Sequence, residues 1–199
     1  MNSIERFYAT LERRQVDRPA AWLGMPDIES KEGLYKEFGV ENLHDLKIAV
    51  GDDFYAIEVP YKSETASAIH AAFDWYGEGA VDAEERTLTS DGCFKDAQTL
   101  EELDFFDWPD PAKYIDVDEC RRLVEEAPED KVLLGIMWSS HFQDTCAAFG
   151  METAMMNMIM KPELYEAVNE KIMEFYLKAN EIFYKATEGK LHAVLIGND

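Results

Sequence analysis

Val194-Leu195-Ile196-Gly197-Asn198-Asp199 is an apolar run that breaks at a glycine and ends in two polar residues. A buried parallel strand reaches its loop in this way. In α/β enzymes the loops at the carboxyl ends of such strands carry the chemistry. The stretch therefore predicts a parallel sheet and an active site that begins where the given sequence ends. The chain is expected to be an amino-terminal portion of a larger fold, or to have its site completed from outside.

Three further segments read as core strands: 20–24, 54–59 closed by Pro60, and 132–138. With 191–196 they make four. Helical patterns lie between them. Ile4, Phe7, Tyr8 and Leu11 share one face after Ser3 as N-cap, and two short helices, 29–38 and 42–50, flank Gly39. Thr99 with Glu102 and Asp116 with Glu119 form capping boxes, the second opening a helix to about residue 127. Ser139 or Ser140 caps a helix ending near Gly150, and 152–160 is another. Pro162 opens a long helix with an apolar stripe at Leu164, Val168, Ile172, Phe175, Ala179, Ile182 and Phe183, stopped by Gly189.

Strands alternating with helices predict βα units and a parallel sheet. Residues 64–96 read differently: a strand at 68–75 and the Asp91-Gly92 pair predict an inserted antiparallel hairpin. Four strands are half of an eight-stranded barrel, which usually needs about 250 residues. The expected fold class is therefore α/β: one domain over 1–199, the amino-terminal part of a TIM-type (β/α)8 barrel with a small antiparallel hairpin insertion.

With 47% hydrophobic and 12% aromatic residues, the 199-residue chain can bury a core and is not disordered. Its 41 acidic against 19 basic residues give a net charge of −22, which repels phosphate backbones and anionic headgroups. Nucleic acid and membrane surfaces are excluded as partners on that ground. Cys93, Cys120 and Cys146 are odd in number and far apart, as in a reducing compartment. The amino terminus lacks a signal-peptide pattern, and no apolar stretch approaches the ~20 residues of a membrane span. The expected location is cytoplasmic.

No self-sufficient catalytic motif occurs. His44, His70, His141 and His192 are not spaced as ligands, and His141 and Cys146 lie about 140° apart around a helix, so no metal site is read within 1–199. Strand ends guide better. They deliver Met25 and Asp27, then Glu58 and Tyr61, then Trp138, Ser139 and His141, and finally Asn198 and Asp199. His141, Glu58 and Asp199 are the catalytic candidates. Asp27, Met25, Tyr61, Trp138, Ser139 and Asn198 are the substrate-binding candidates, on a rim that could hold a small polar molecule. Plainer roles compete: Ser139 as a helix cap, Trp138 as core, His141 as a surface residue, Asp52-Asp53 as charges opening a strand. Met151, Met155, Met156, Met158 and Met160 fit packing on a helix, or contact with a flat apolar ligand.

The order of several segments resembles the uroporphyrinogen decarboxylase superfamily. They are Glu5-Arg6-Phe7, Asp17-Arg18-Pro19 with Trp22, Gly51-Asp52-Asp53-Phe54, and Trp108-Pro109-Asp110-Pro111. Phe142-Gln143-Asp144, Gly150-Met151-Glu152, Met156-Asn157-Met158, Lys161-Pro162-Glu163-Leu164 and Ile196-Gly197-Asn198-Asp199 continue the likeness across nearly the whole chain. The resemblance implies a TIM-type barrel and one of two activities, porphyrinogen decarboxylation or cobalamin-linked methyl transfer. The decarboxylases carry an Arg-Gln-Ala-Gly-Arg run where this chain has Leu23-Gly24-Met25-Pro26-Asp27, without an arginine. A polycarboxylate would also meet a strongly acidic protein. Methyl transfer between a small methylated substrate and a corrinoid or thiol is therefore the expected function. A carboxy-lyase with an altered clamp, or a fragment that binds a partner or ligand without turnover, is the alternative. The methyltransferase branch implies zinc and a corrinoid in a complete enzyme, with the zinc ligands beyond 1–199. It also implies a corrinoid protein as partner. The strand edges left open by four strands predict a homo-oligomer or a complementing chain.

Overall fold

The computed structural model describes residues 1–62, 68–77 and 89–197. The chain forms two compact units, one from Met1–Ala56 with Glu126–Leu134 and the other from Ile57–Glu125 with Gly135–Asp199.

Among the described residues three strands form one open sheet, β1 (Phe54–Glu58), β2 (Val132–Met137) and β3 (Ala193–Ile196), in the order β1-β2-β3. Val132 N–H donates to Asp53 C=O at 2.9 Å and Val59 N–H to Ile136 C=O at 3.0 Å. The pairing advances in the same direction along both strands, so they are parallel. Every residue of β2 is buried, as its unbroken apolar sequence requires of a central parallel strand.

The fold is therefore a small α/β fold with three parallel strands in one open sheet, and among the described residues neither the barrel portion nor the antiparallel hairpin is found. Two local causes account for the difference. The 20–24 segment is not a strand: Ala21 N–H donates to Asp53 Oδ2 at 2.9 Å and Leu23 N–H to Asp52 Oδ2 at 3.1 Å, while Ala21 C=O accepts from Asp53 N–H at 2.9 Å just ahead of β1. At both amides a carboxylate stands where a strand neighbour's carbonyl would. In the hairpin region, Ile69–Phe73 is a short 3-10 helix rather than a strand. The rest of that predicted hairpin, 64–67 and 78–88, lies outside the described residues.

The Asp91-Gly92 pair is a docking point. Phe94 N–H donates to Ala148 C=O at 2.8 Å, so this loop satisfies a carbonyl at the end of a helix. A Cβ on Gly92 would stand 2.0 Å from Ala147 O and 2.3 Å from Ala148 O, both backbone atoms. Gly92→Ala should therefore destabilise by about 1–3 kcal/mol or more. Urea unfolding that leaves the midpoint unchanged would show that the loop does not dock so closely.

In the first unit, α1 (Ser3–Leu11) is capped by Asn2, one residue before the expected Ser3. Asn2 Oδ1 accepts from Glu5 N–H at 2.8 Å while Glu5 accepts from Asn2 N–H at 3.1 Å, a complete capping box. Helices α2 (Ile28–Phe38) and α3 (Leu43–Ala49) follow where expected. The unit's centre is ionic. Asp53, 0% exposed, accepts from Arg6 Nη1 at 2.6 Å, Arg18 Nη1 at 2.6 Å and the Ala21 amide. Arg6 also forks onto Asp17, with both bonds at 2.8 Å.

In the second unit, α4 (Val117–Glu125), α5 (His141–Phe149) and α6 (Met151–Met160) pack with α7 (Pro162–Ala186). The α7 stripe Leu164, Val168, Ile172, Phe175, Ala179 and Phe183 is buried. An aromatic cluster extends that core: Phe73 stacks on Trp75 at 4.6 Å and Trp75 on Phe106 at 5.3 Å.

Candidate functional site

Parallel strands bring their carboxyl ends to one rim. Glu58 is the last residue of β1, Trp138 follows β2, and Gly197 follows β3. Trp138 Nε1 donates to Glu58 Oε1 at 2.6 Å. A Cβ on Gly197 would lie 2.9 Å from Trp138 Cε3, so only glycine lets the third strand pass the indole this closely. Ser140 Oγ donates to Gly197 C=O at 3.3 Å. The three strand ends are thus tied together through one indole, one carboxylate and one hydroxyl.

His141 opens α5, and its Nδ1 lies 3.4 Å from Ser139 C=O. A carbonyl only accepts, so this contact is a hydrogen bond when Nδ1 carries the proton. Ser139 is buried, and its Oγ accepts from Asn180 Nδ2 of α7 at 3.4 Å, so it braces the rim from behind. Ser140 is the residue at the N-cap position of α5, and its side chain makes no capping bond. Tyr61 forms an isolated antiparallel bridge with Ile115 and stacks on Tyr114 at 5.5 Å. Burial, with smaller contributions from Tyr114 and Asp74, pushes its hydroxyl up to about 12, so it keeps its proton.

The expected site residues fall in both units. Glu58, Trp138, Ser139 and His141 belong to one unit and are joined by the bonds above. Asp27 and Met25 belong to the other unit. Asp27 has a local duty there, its Oδ1 accepting from Glu29 N–H at 2.8 Å to cap α2, and Met25 is exposed. Asn198 and Asp199 lie outside the described residues.

Two features went unforeseen. His70, on the 3-10 helix, is close enough to Glu58 to feel its charge. Local desolvation pulls the imidazole's pKa down more than the Glu58 carboxylate pulls it up, although the residue is exposed overall. Nothing in the local sequence marks His70 as a rim residue. The second feature is Asp144, one turn into α5 and 6% exposed. It accepts from Tyr176 OH at 2.5 Å and from Trp75 Nε1 at 3.2 Å. Desolvation outweighs those two donors and lifts its pKa to about 7. A signal existed here, since Asp144 shares α5 with Cys146, Ala147, Ala148 and Phe149, and an acid on so apolar a helix needs buried partners.

Among the described residues no three His, Cys, Asp or Glu side chains converge as ligands. Burial holds the Cys120 and Cys146 thiols protonated, Cys120 up to about 11 and Cys146 likewise raised, whereas metals take the thiolate. Among those residues no helix is long and apolar enough to cross a membrane. No protein-family model matches the chain, and neither a curated protein nor a solved structure matches it.

Proposed function

We propose that the rim at the carboxyl ends of the strands binds a small methylated cation, the substrate side of a methyl-transfer reaction. One observation carries the proposal: the Glu58 carboxylate is bonded directly to the Trp138 indole at 2.6 Å. A carboxylate beside an aromatic ring supplies charge and π-face together, the chemistry that recognises methylated ammonium groups. With its N–H committed to Glu58, the indole has only its faces and edges left to offer. The His141 imidazole, which opens α5 just after Trp138, is the group on this rim proposed to move a proton. Transfer of the methyl group to a thiol or a corrinoid, with a corrinoid protein as partner, is the part of the proposal that the family resemblance contributes. A polycarboxylate porphyrinogen suits the site poorly, because Glu58 would repel it.

Titration of tetramethylammonium into the 15N-labelled chain tests this reading. Saturable shifts at Glu58, Trp138 and Gly197 are expected. Glu58→Gln should weaken binding about tenfold, the loss of one charged contact in a partly buried site. Shifts that stay linear with ligand would end the proposal, as would tighter binding of a tricarboxylate than of the cation.

A further inference from the structure

A second site lies in the other unit, independent of the rim. A cleft of about 160 Å³ opens between α3 and the amino-terminal half of β1. Ile48, Phe54 and Tyr55 give it apolar walls, and Lys47, Lys131 and His44 give it a basic lining. In a chain of net charge −22 this is a local reversal of sign.

The cations are under-compensated. Asp52 is the carboxylate at hand, and its oxygens are taken by backbone: Oδ1 accepts from Phe54 N–H at 2.8 Å and Oδ2 from Leu23 N–H at 3.1 Å. Lys47 Nζ reaches Asp52 only at 3.8 Å. Lys131 Nζ donates to Asp52 C=O at 2.6 Å, which satisfies one of its three donors and none of its charge. Burial lowers the pKa of Lys47 more than Asp52 raises it. Two ammonium groups therefore face one carboxylate already shared with two amides. Such a site gains from any anion that enters it.

We propose that this cleft binds a small amphipathic carboxylate, its anionic head on Lys47 and Lys131 and its flat apolar body against Phe54 and Tyr55. The volume, well under the 300–1,000 Å³ typical of drug-sized pockets, takes a single ring and not a polycycle. The apolar walls select an organic acid over a fully hydrated ion. Asp52 beside Lys47 favours a monoanion over a dianion, because like charge close by penalises each added negative charge.

The test uses the whole 15N-labelled chain with benzoate, benzyl alcohol and inorganic phosphate as separate probes. Benzoate is expected to give saturable shifts at the His44, Phe54 and Tyr55 amides, with benzyl alcohol and phosphate each at least about tenfold weaker. Lys47→Met and Lys131→Met should each weaken benzoate about tenfold, and Lys47→Arg should retain it. Benzyl alcohol binding as well as benzoate would remove the ionic half of the proposal, and phosphate binding as well would remove the apolar half. Either result overturns it, as does a linear response to benzoate. Because these arms use the unaltered chain, the outcome stands even where a lysine variant does not fold.

Discussion

Asp53→Ala is expected to cost about 3–5 kcal/mol of folding stability, the range for removing one partner of a buried ion pair. The residue is 0% exposed and accepts from two guanidinium groups and the Ala21 amide. Its loss leaves Arg18 without its carboxylate and removes one of the bonds that hold the 20–24 segment. A domain's whole stability is about 5–15 kcal/mol, so the variant should be near its folding limit at 37 °C. A pH dependence accompanies this. Burial pushes the Asp53 carboxyl up, but bonds from Arg18, Ala21, Ser3 and Arg6 together hold it below the ordinary carboxylate range. A depressed pKa contributes stability above the unfolded value near 4, and that stability is lost as pH falls through the folded value. Urea titrations at pH 7 and pH 3 should show a large difference between wild type and Asp53→Ala at the higher pH and a smaller one at the lower. A midpoint at pH 7 indistinguishable from wild type would mean that the arginines pair as well without it.

Asp144 should show the opposite dependence. Its carboxyl is held at about 7 by desolvation, against the Tyr176 and Trp75 hydrogen bonds. A group whose folded pKa lies above its unfolded value favours the folded state below about pH 4 and loses that contribution as pH rises to about 7. The difference between about 4 and about 7 corresponds to roughly 4 kcal/mol once the group is ionised. Asp144→Asn cannot ionise and keeps an oxygen for one of the two donors. It should therefore be more stable than wild type at pH 8, by up to about 4 kcal/mol, and close to wild type at pH 4. Parallel stability curves for the two proteins across that range would show that Asp144 is not the titrating group.

These two aspartates mark how far the sequence could be read. Strands at 54–59, 132–138 and 191–196 were visible because each is a short apolar run bounded by turn signals, and the sheet contains all three. The 20–24 segment gives the same signal, yet its Ala21 and Leu23 amides go to the Asp53 and Asp52 carboxylates, and no local pattern distinguishes a carboxylate partner from a strand partner. The count of four, and the barrel built on it, failed at that point. The hairpin failed for a related reason: Asp91-Gly92 is a turn signal, but the glycine serves contact with the α5 backbone. At the rim, Glu58 and Trp138 were legible as strand-end residues, while their bond was not, since it joins residues 80 apart in sequence. His70 reaches the same rim through a 3-10 turn that the sequence suggested was a strand.

The first unit is assembled from two separated pieces of chain, Met1–Ala56 and Glu126–Leu134. On the ribosome its first piece emerges well before its second, because residues 57–125 must be made in between. At roughly 5–20 residues per second that delay lasts several seconds. Through it, Asp53 can already gather Arg6 and Arg18, while its own carbonyl waits for the Val132 amide and the Asp52 carbonyl for Lys131. The ionic knot lies wholly within the first piece, and it can hold the nascent segment in register until β2 arrives.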